Sequence, residues 1–154
     1  MRPTFAGTMG AFDVLVEARV YSSEEKAQVG GRPRYDTDFT VTFAPIEPQF
    51  SLARQGVGSA LKKKFGAQDI VIGDAEFDKA FVIKGTDEVA IGLLFTTERR
   101  RLLLDLHEED NWLEASNTRL YTGTSTVFES HEKFVDTING LLTAAQALGA
   151  GARP

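Results

Sequence analysis

The chain has 154 residues, 42% of them hydrophobic and 25% charged, with 11 phenylalanines and no cysteine. That is enough sequence for one domain with its own core, and it excludes disulfide scaffolding, thiol nucleophiles and cysteine-based zinc sites. The formal charge of −5 and pI near 5.1 argue against nucleic-acid binding, which calls for a broad basic face.

Residues 1–10 carry two glycines and read as an irregular lead-in. From Ala11 to Tyr21, Phe12, Val14, Val16, Ala18 and Val20 alternate with polar positions, the mark of a strand with one face buried and an antiparallel neighbour. Residues 22–34, glycine-rich and charged, are expected to form a flexible hairpin loop. Alternation returns with Phe39, Val41 and Phe43. Pro45 and Pro48 then break the strand, and Phe50 and Leu52 suggest a third strand of a meander. Gly56 to Gly66 reads as a loop leading into a helical turn or two.

The central stretch Ile70 to Gly85 has two apolar runs, Ile70–Ile72 and Phe81–Ile83, around an acidic connection from Asp74 to Asp78. It reads as strand, loop, strand, with Phe77, Phe81 and Ile83 in the core. A short helix is expected over Asp87–Phe95, and a second one, capped by Thr96 or Thr97, to about Glu109. Trp112–Ala115 and Arg119–Tyr121 form a hairpin candidate. A long C-terminal helix follows the Thr126–Glu129 capping box, with Phe128, Phe134, Val135, Ile138, Leu141, Leu142, Ala145 and Leu148 at helical spacing. Gly149 ends it, and residues 149–154 read as a frayed tail. The expectation is one α+β domain over residues 1–154: a mixed, mainly antiparallel sheet of about six or seven strands, two short central helices and a long C-terminal helix packed on the sheet. No run is long and apolar enough for a bilayer span and no address signal is visible, so a cytoplasmic place, or one peripheral to a membrane, is expected.

The segment from Gly73 to Gly85, followed by Thr86-Asp87, Leu93-Leu94 and Thr97 to Leu106, resembles uncharacterised bacterial proteins of the DUF3137 family and its relatives, in which an acidic D-x-x-F-(D/E)-x-x-F segment precedes a helix. The likeness covers about residues 67–106 and implies kinship without implying an activity. Members of that group often carry transmembrane helices ahead of a soluble portion, and this chain departs from them there.

Signals for chemistry are sparse. Asp74, Glu76 and Asp78 offer three oxygen ligands, but counting from Asp74 the EF-hand positions 6 and 12 are Lys79 and Gly85; on a strand, the three would simply share a wet face. His107 and His131 stand apart, with no H-E-x-x-H pattern. Gly56-Val-Gly58-Ser59 is neither a nucleophile elbow nor a complete phosphate loop. Trp112 and the tyrosines suggest no stacking platform. No motif asks for a cofactor. Two basic triplets remain, Lys62-Lys63-Lys64 and Arg99-Arg100-Arg101, which could bind an anionic lipid or an acidic protein partner, or merely solvate a helix face. The arginines fall in a helix's first turns, where the macrodipole disfavours cations, so they call for an anionic partner: Asp105, Glu108 and Glu109, or something external. The sequence thus points to a non-catalytic bacterial interaction or ligand-sensing module. The alternatives are a small acid/base enzyme using Asp74 or Asp78 with a histidine, or a subunit of a larger assembly; the oligomeric state is open.

Overall fold

The alternation from Phe12 onward does form a strand, and its apolar face is the floor of the core: Phe12, Val14 and Val16 are all buried. The computed structural model describes residues 4–20, 35–55, 69–107, 111–124 and 131–151. The elements are β1 (Thr4–Met9), β2 (Phe12–Val20), β3 (Tyr35–Thr42), β4 (Phe50–Arg54), α1 (Ala75–Ala80), β5 (Phe81–Gly85), α2 (Glu88–Leu94), α3 (Thr97–Leu106), β6 (Asn111–Ser116), β7 (Arg119–Thr124) and α4 (His131–Ala147). The strands make one seven-stranded sheet in the order β1-β2-β3-β7-β6-β4-β5, and every described pairing is antiparallel. The protein is α+β.

Two expectations about the strands are corrected. Residues 4–9 of the supposed irregular lead-in form β1, joined to β2 by a tight turn in which Gly10 takes φ 63°. The meander stops after β3, because β4 pairs with β5 and β6 rather than with β3. The reason lies in the connection. Phe43 and Ile46 donate their amides to the carbonyls of Thr118 and Asn117, at 2.9 Å each, so the chain leaving β3 crosses the tip of the β6–β7 hairpin. β7 and β6 then fill the places beside β3.

The helices lie over the face that presents Val16, Phe39, Val41, Leu120, Leu113, Leu52 and Ile83. α4 meets β3 through Phe134, whose ring is 5.5 Å from that of Phe39, and buries Ile138, Leu141, Ala145 and Leu148. Val135, placed on the same stripe by its spacing, is exposed. α3 runs against α4 where a Cβ on Gly140 would come within 3.0 Å of Leu106. α4 ends at Gly149, with φ 92°: Ala150 N–H donates to Ala145 O and Gly149 N–H to Gln146 O, the two bonds of a Schellman motif. Ala150 is buried and a Cβ on Gly151 would meet the Phe12 ring, so the first residues of the supposed frayed tail pack on the sheet. Residues 22–34, 56–66 and 126–129 lie outside the described residues.

At the other end of the sheet, Phe50, Phe77, Phe81 and Phe95 form one aromatic cluster with ring separations of 5.0 to 5.6 Å. Phe77, Phe81 and Ile83 are in the core as their pattern predicts. The acidic connection is helix α1 rather than a loop, and Ile70–Ile72 adds no strand to the sheet. Only Ile70 N–H, donating to Ile83 O at 2.9 Å, ties that run to β5. Removing the Phe77 ring empties the centre of the cluster, so Phe77→Ala is expected to lower the unfolding free energy by about 3–5 kcal/mol, measured by urea titration followed through the single Trp112.

Candidate functional site

Short helices leave most of their end groups unsatisfied, and three of them meet within residues 74–107. α2 is capped at its start by Asp87, whose side chain accepts from Ala90 N–H at 3.0 Å, and α3 by Thr96, accepting from Arg99 N–H. One residue, Phe95, stands between the end of α2 and that cap, so the last carbonyls of α2 lie at the start of α3. The two guanidinium groups there close them. Arg99 donates to Leu94 O at 2.7 Å and, through Nε, to Ala147 O at the end of α4, at 2.6 Å. Arg100 donates to Phe95 O at 2.7 Å, to Thr97 Oγ1 at 3.2 Å and, through Nε, to Asp74 Oδ2 at 2.8 Å. Arg99 and Arg100 do have negative partners, and these are internal: helix C-terminal carbonyls, with their partial negative charge, and Asp74; of the acids expected to pair with them, Glu108 and Glu109 lie outside the described residues. Arg101 alone of the triplet is exposed, and no hydrogen bond or ion pair holds it among the described residues. Lys62, Lys63 and Lys64 lie outside them, so only one half of the proposed basic patch has a described geometry.

The acidic cluster is spread out by α1. Asp74 is its N-cap, accepting from Phe77 N–H at 3.2 Å through Oδ1 while Oδ2 meets Arg100. The Phe77 amide first, and the Arg100 bond second, hold the Asp74 carboxyl below its usual range. Asp78 accepts at both oxygens, from Ile72 and Gly73 N–H, each at 2.9 Å, and so pins the bend where Gly73 takes φ 94°. Glu76 is exposed. The three do not share a face as they would on a strand, since residues two apart on a helix point in different directions. Among the described residues, no three histidine or acidic side chains gather to hold a metal ion.

His107 caps the end of α3, its amide donating to Leu103 O and Leu104 O. Its ring lies 4.7 Å from that of Phe81, and its buried Nδ1 has no hydrogen-bond partner among the described residues. Burial, and then the positive Arg54 nearby, push the imidazole below its ordinary value. His131 opens α4. Nothing in this arrangement brings His107 into a hydrogen bond with Asp74 or Asp78.

Two polar sites escape the sequence patterns. Lys84 is wholly buried on β5, and its ammonium is bonded to the half-exposed Asp69. Directly across the ladder, Ser51 has a buried hydroxyl without a partner among the described residues. β4 and β5 are buried on both faces (Ser51, Ala53, Val82 and Lys84 on the second), so alternation disappears and Lys84 looks like a chance cation in an apolar run. On the open face of the sheet, Tyr121 donates its hydroxyl to Asp38 at 2.7 Å. Burial first, then that bond, push the phenol up. Trp112 covers Gly123, where a Cβ would come within 2.5 Å of the indole, so the tryptophan packs on its own hairpin.

No family model matches the chain, and no match emerges among curated proteins or solved structures.

Arg99→Ala leaves Leu94 O and Ala147 O without their donor and is expected to cost about 1–3 kcal/mol of stability. Arg99→Lys should restore little of it, because an ammonium lacks the fork that spans two carbonyls; chemical denaturation of the three proteins measures this. The acid limb separates two groups with folded-state values lowered. For His107 the unfolded chain takes up the proton first, so stability falls as pH drops below about 6.5. For Asp74 stability is present above 3.8 and is lost as pH falls below it. Thermal melts across pH should lose the upper step in His107→Gln and the lower one in Asp74→Asn.

Proposed function

We propose that the protein is a non-catalytic interaction module, acting through contact with another protein. What supports this is a division of labour among its side chains. Asp74, Asp78, Arg99 and Arg100, which carry the chemistry a site would need, are engaged in holding helix ends and bends together. Apolar side chains, by contrast, stand in solvent.

The observation that carries the reading is α2. Its sequence, Glu-Val-Ala-Ile-Gly-Leu-Leu, is apolar on both sides. Ile91 and Leu94 are buried, while Val89 and Leu93, one turn apart, are each 75% exposed. A helix apolar all round belongs in an interior, and a partner would supply the missing half. An anionic lipid or an acidic partner is the ligand class suited to the basic triplets, and with it attachment at the membrane periphery. Of those triplets only Arg101 is exposed among the described residues, because Arg99 and Arg100 are spent internally. Among the described residues no helix is long and apolar enough to cross a membrane. Kinship of residues 67–106 with the DUF3137 group fits the same reading and adds no chemistry to it.

Photo-crosslinking tests the proposal. Benzoylphenylalanine in place of Leu93, in the cells that make the protein, should give a discrete protein adduct that the same probe at Asn139, exposed on α4, does not give. Identical adducts at both positions, or none at Leu93, would end the proposal. Vesicle co-sedimentation supplies the contrast: equal pelleting with phosphatidylserine-containing and pure phosphatidylcholine vesicles is expected. A serine-lipid-dependent fraction that falls in Arg101→Glu would replace the protein partner with a lipid surface.

A further inference from the structure

Glycine is the poorest helix former after proline, because the helix costs it the most backbone freedom. α2 nonetheless carries Gly92 in its interior. The φ there is not positive, so any L residue could take the same backbone conformation. A Cβ built on Gly92 meets nothing within 4 Å, and the residue is exposed. No described neighbour gives a reason for the missing side chain. We propose that α2 docks a basic amphipathic helix of another protein, whose backbone passes close over Gly92. This rests on the reading of α2 as a partner surface and names the partner's chemistry.

Residues four apart stack into rows along a helix. Glu88 and Gly92 make one exposed row, and Val89 and Leu93 the row beside it. Ile91 and Leu94 point the other way, into the core. Gly92 is thus a notch, walled by two apolar side chains on one side and by the Glu88 carboxylate on the other. An apolar side chain of a second helix fits such a hollow as a knob, and the missing Cβ lets the two backbones come close. The occupant is a helix because α2 uses its own backbone groups internally, with Asp87 and the two arginines closing its ends. An extended segment would bring amides and carbonyls that find no partner on this face; a helix brings none.

Charge selects the kind of helix. From Thr86 to Glu98 the exposed charged residues are Asp87, Glu88 and Glu98, and no lysine or arginine occurs in that stretch. No hydrogen bond or ion pair holds the Glu88 or Glu98 side chain among the described residues. The cations that flank the stretch in sequence are already engaged. Lys84 is buried and bonded to Asp69, and Arg99 and Arg100 hold Leu94 O, Ala147 O, Phe95 O and Asp74. Lysines or arginines beside the apolar stripe of a partner would meet these carboxylates, whereas an acidic helix would meet only repulsion. A second copy of this chain brings the same acids to the same place, and a net charge of −5, so the occupant is a different protein.

Mass spectrometry of the adduct formed by benzoylphenylalanine at Leu93 should place the crosslink in a segment of another protein, with net positive charge and apolar residues three and four apart. A synthetic peptide of that segment should bind the purified full chain in fluorescence anisotropy, and bind more weakly as salt is added. Gly92→Leu fills the notch and improves the helix. It should keep or raise the melting temperature while raising the Kd of the peptide at least about tenfold. Gly92→Ala should move both quantities in the same directions by less, and it decides the matter if Gly92→Leu melts early. Glu88→Lys should also raise the Kd at least about tenfold, and Glu88→Gln by a smaller factor. An acidic segment, a segment of this chain, a peptide that binds both Gly92 variants as tightly as wild type, or an affinity untouched by salt and by both Glu88 variants would overturn the proposal. Each of those results still has a protein crosslinked at Leu93. The absence of any Leu93 adduct ends this proposal together with the reading it rests on.

Discussion

The fold depends on closing the ends of helices too short to look after themselves. α1 has six residues and α2 seven, so nearly every backbone group in them belongs to a first or a last turn, and neither would persist alone in water. The partners must come from elsewhere. Asp74, Asp87 and Thr96 supply acceptors at the N-termini, and Arg99 and Arg100 supply donors at the C-terminus of α2. Two adjacent residues thereby tie the end of α2 to the cap of α1 and the last residue of α4, elements separated by tens of positions in the chain.

That junction roofs the aromatic cluster. Phe77 on α1 and Phe95 after α2 can sit against Phe50 and Phe81 only while the backbone carrying them stays fixed, and that backbone is what the arginines and aspartates hold. The apolar and polar parts are therefore one device. Burial of the rings draws the short helices onto β4 and β5, and the charged groups remove the cost of bringing unpaired carbonyls with them. Asp78 does the same at the entrance, spending both oxygens on the bend that brings the chain off Ile70 and into α1.

How much of this the sequence discloses depends on the range of each interaction. β2, β3, the β6–β7 hairpin and α4 are legible because each has one wet face and one dry face, and periodicity reports that directly: Phe39 and Val41, or Leu141 and Leu148, mark the core side. β1 is not legible, since in Thr-Phe-Ala-Gly-Thr-Met neither side of the strand is buried and no contrast survives. α1 is obscured by its acidity, although the acids are what caps and steadies it. The partner of β4 is hidden for another reason. Strand pairing there is set by where residues 43–46 meet the hairpin at Asn117 and Thr118, and no local pattern encodes that meeting. Lys84 stays hidden because both faces of β5 are dry.

The basic triplet shows how a surface signal can be an interior one. Three arginines at the start of a helix in an acidic chain look misplaced, because a macrodipole repels cations there. When another helix ends one residue earlier, its carbonyls supply an opposing field at the same place, and the anomaly becomes a seal. Arg99 and Arg100 are read correctly as cations in need of negative partners; what the local sequence omits is that Leu94 and Phe95, their own near neighbours, are those partners. Arg101, one residue further along α3, turns away from that field. What the seal leaves in solvent near the junction is apolar as well as charged: Val89 and Leu93 stand out of α2 beside the exposed Asp87 and Glu88, as Arg101 does from α3.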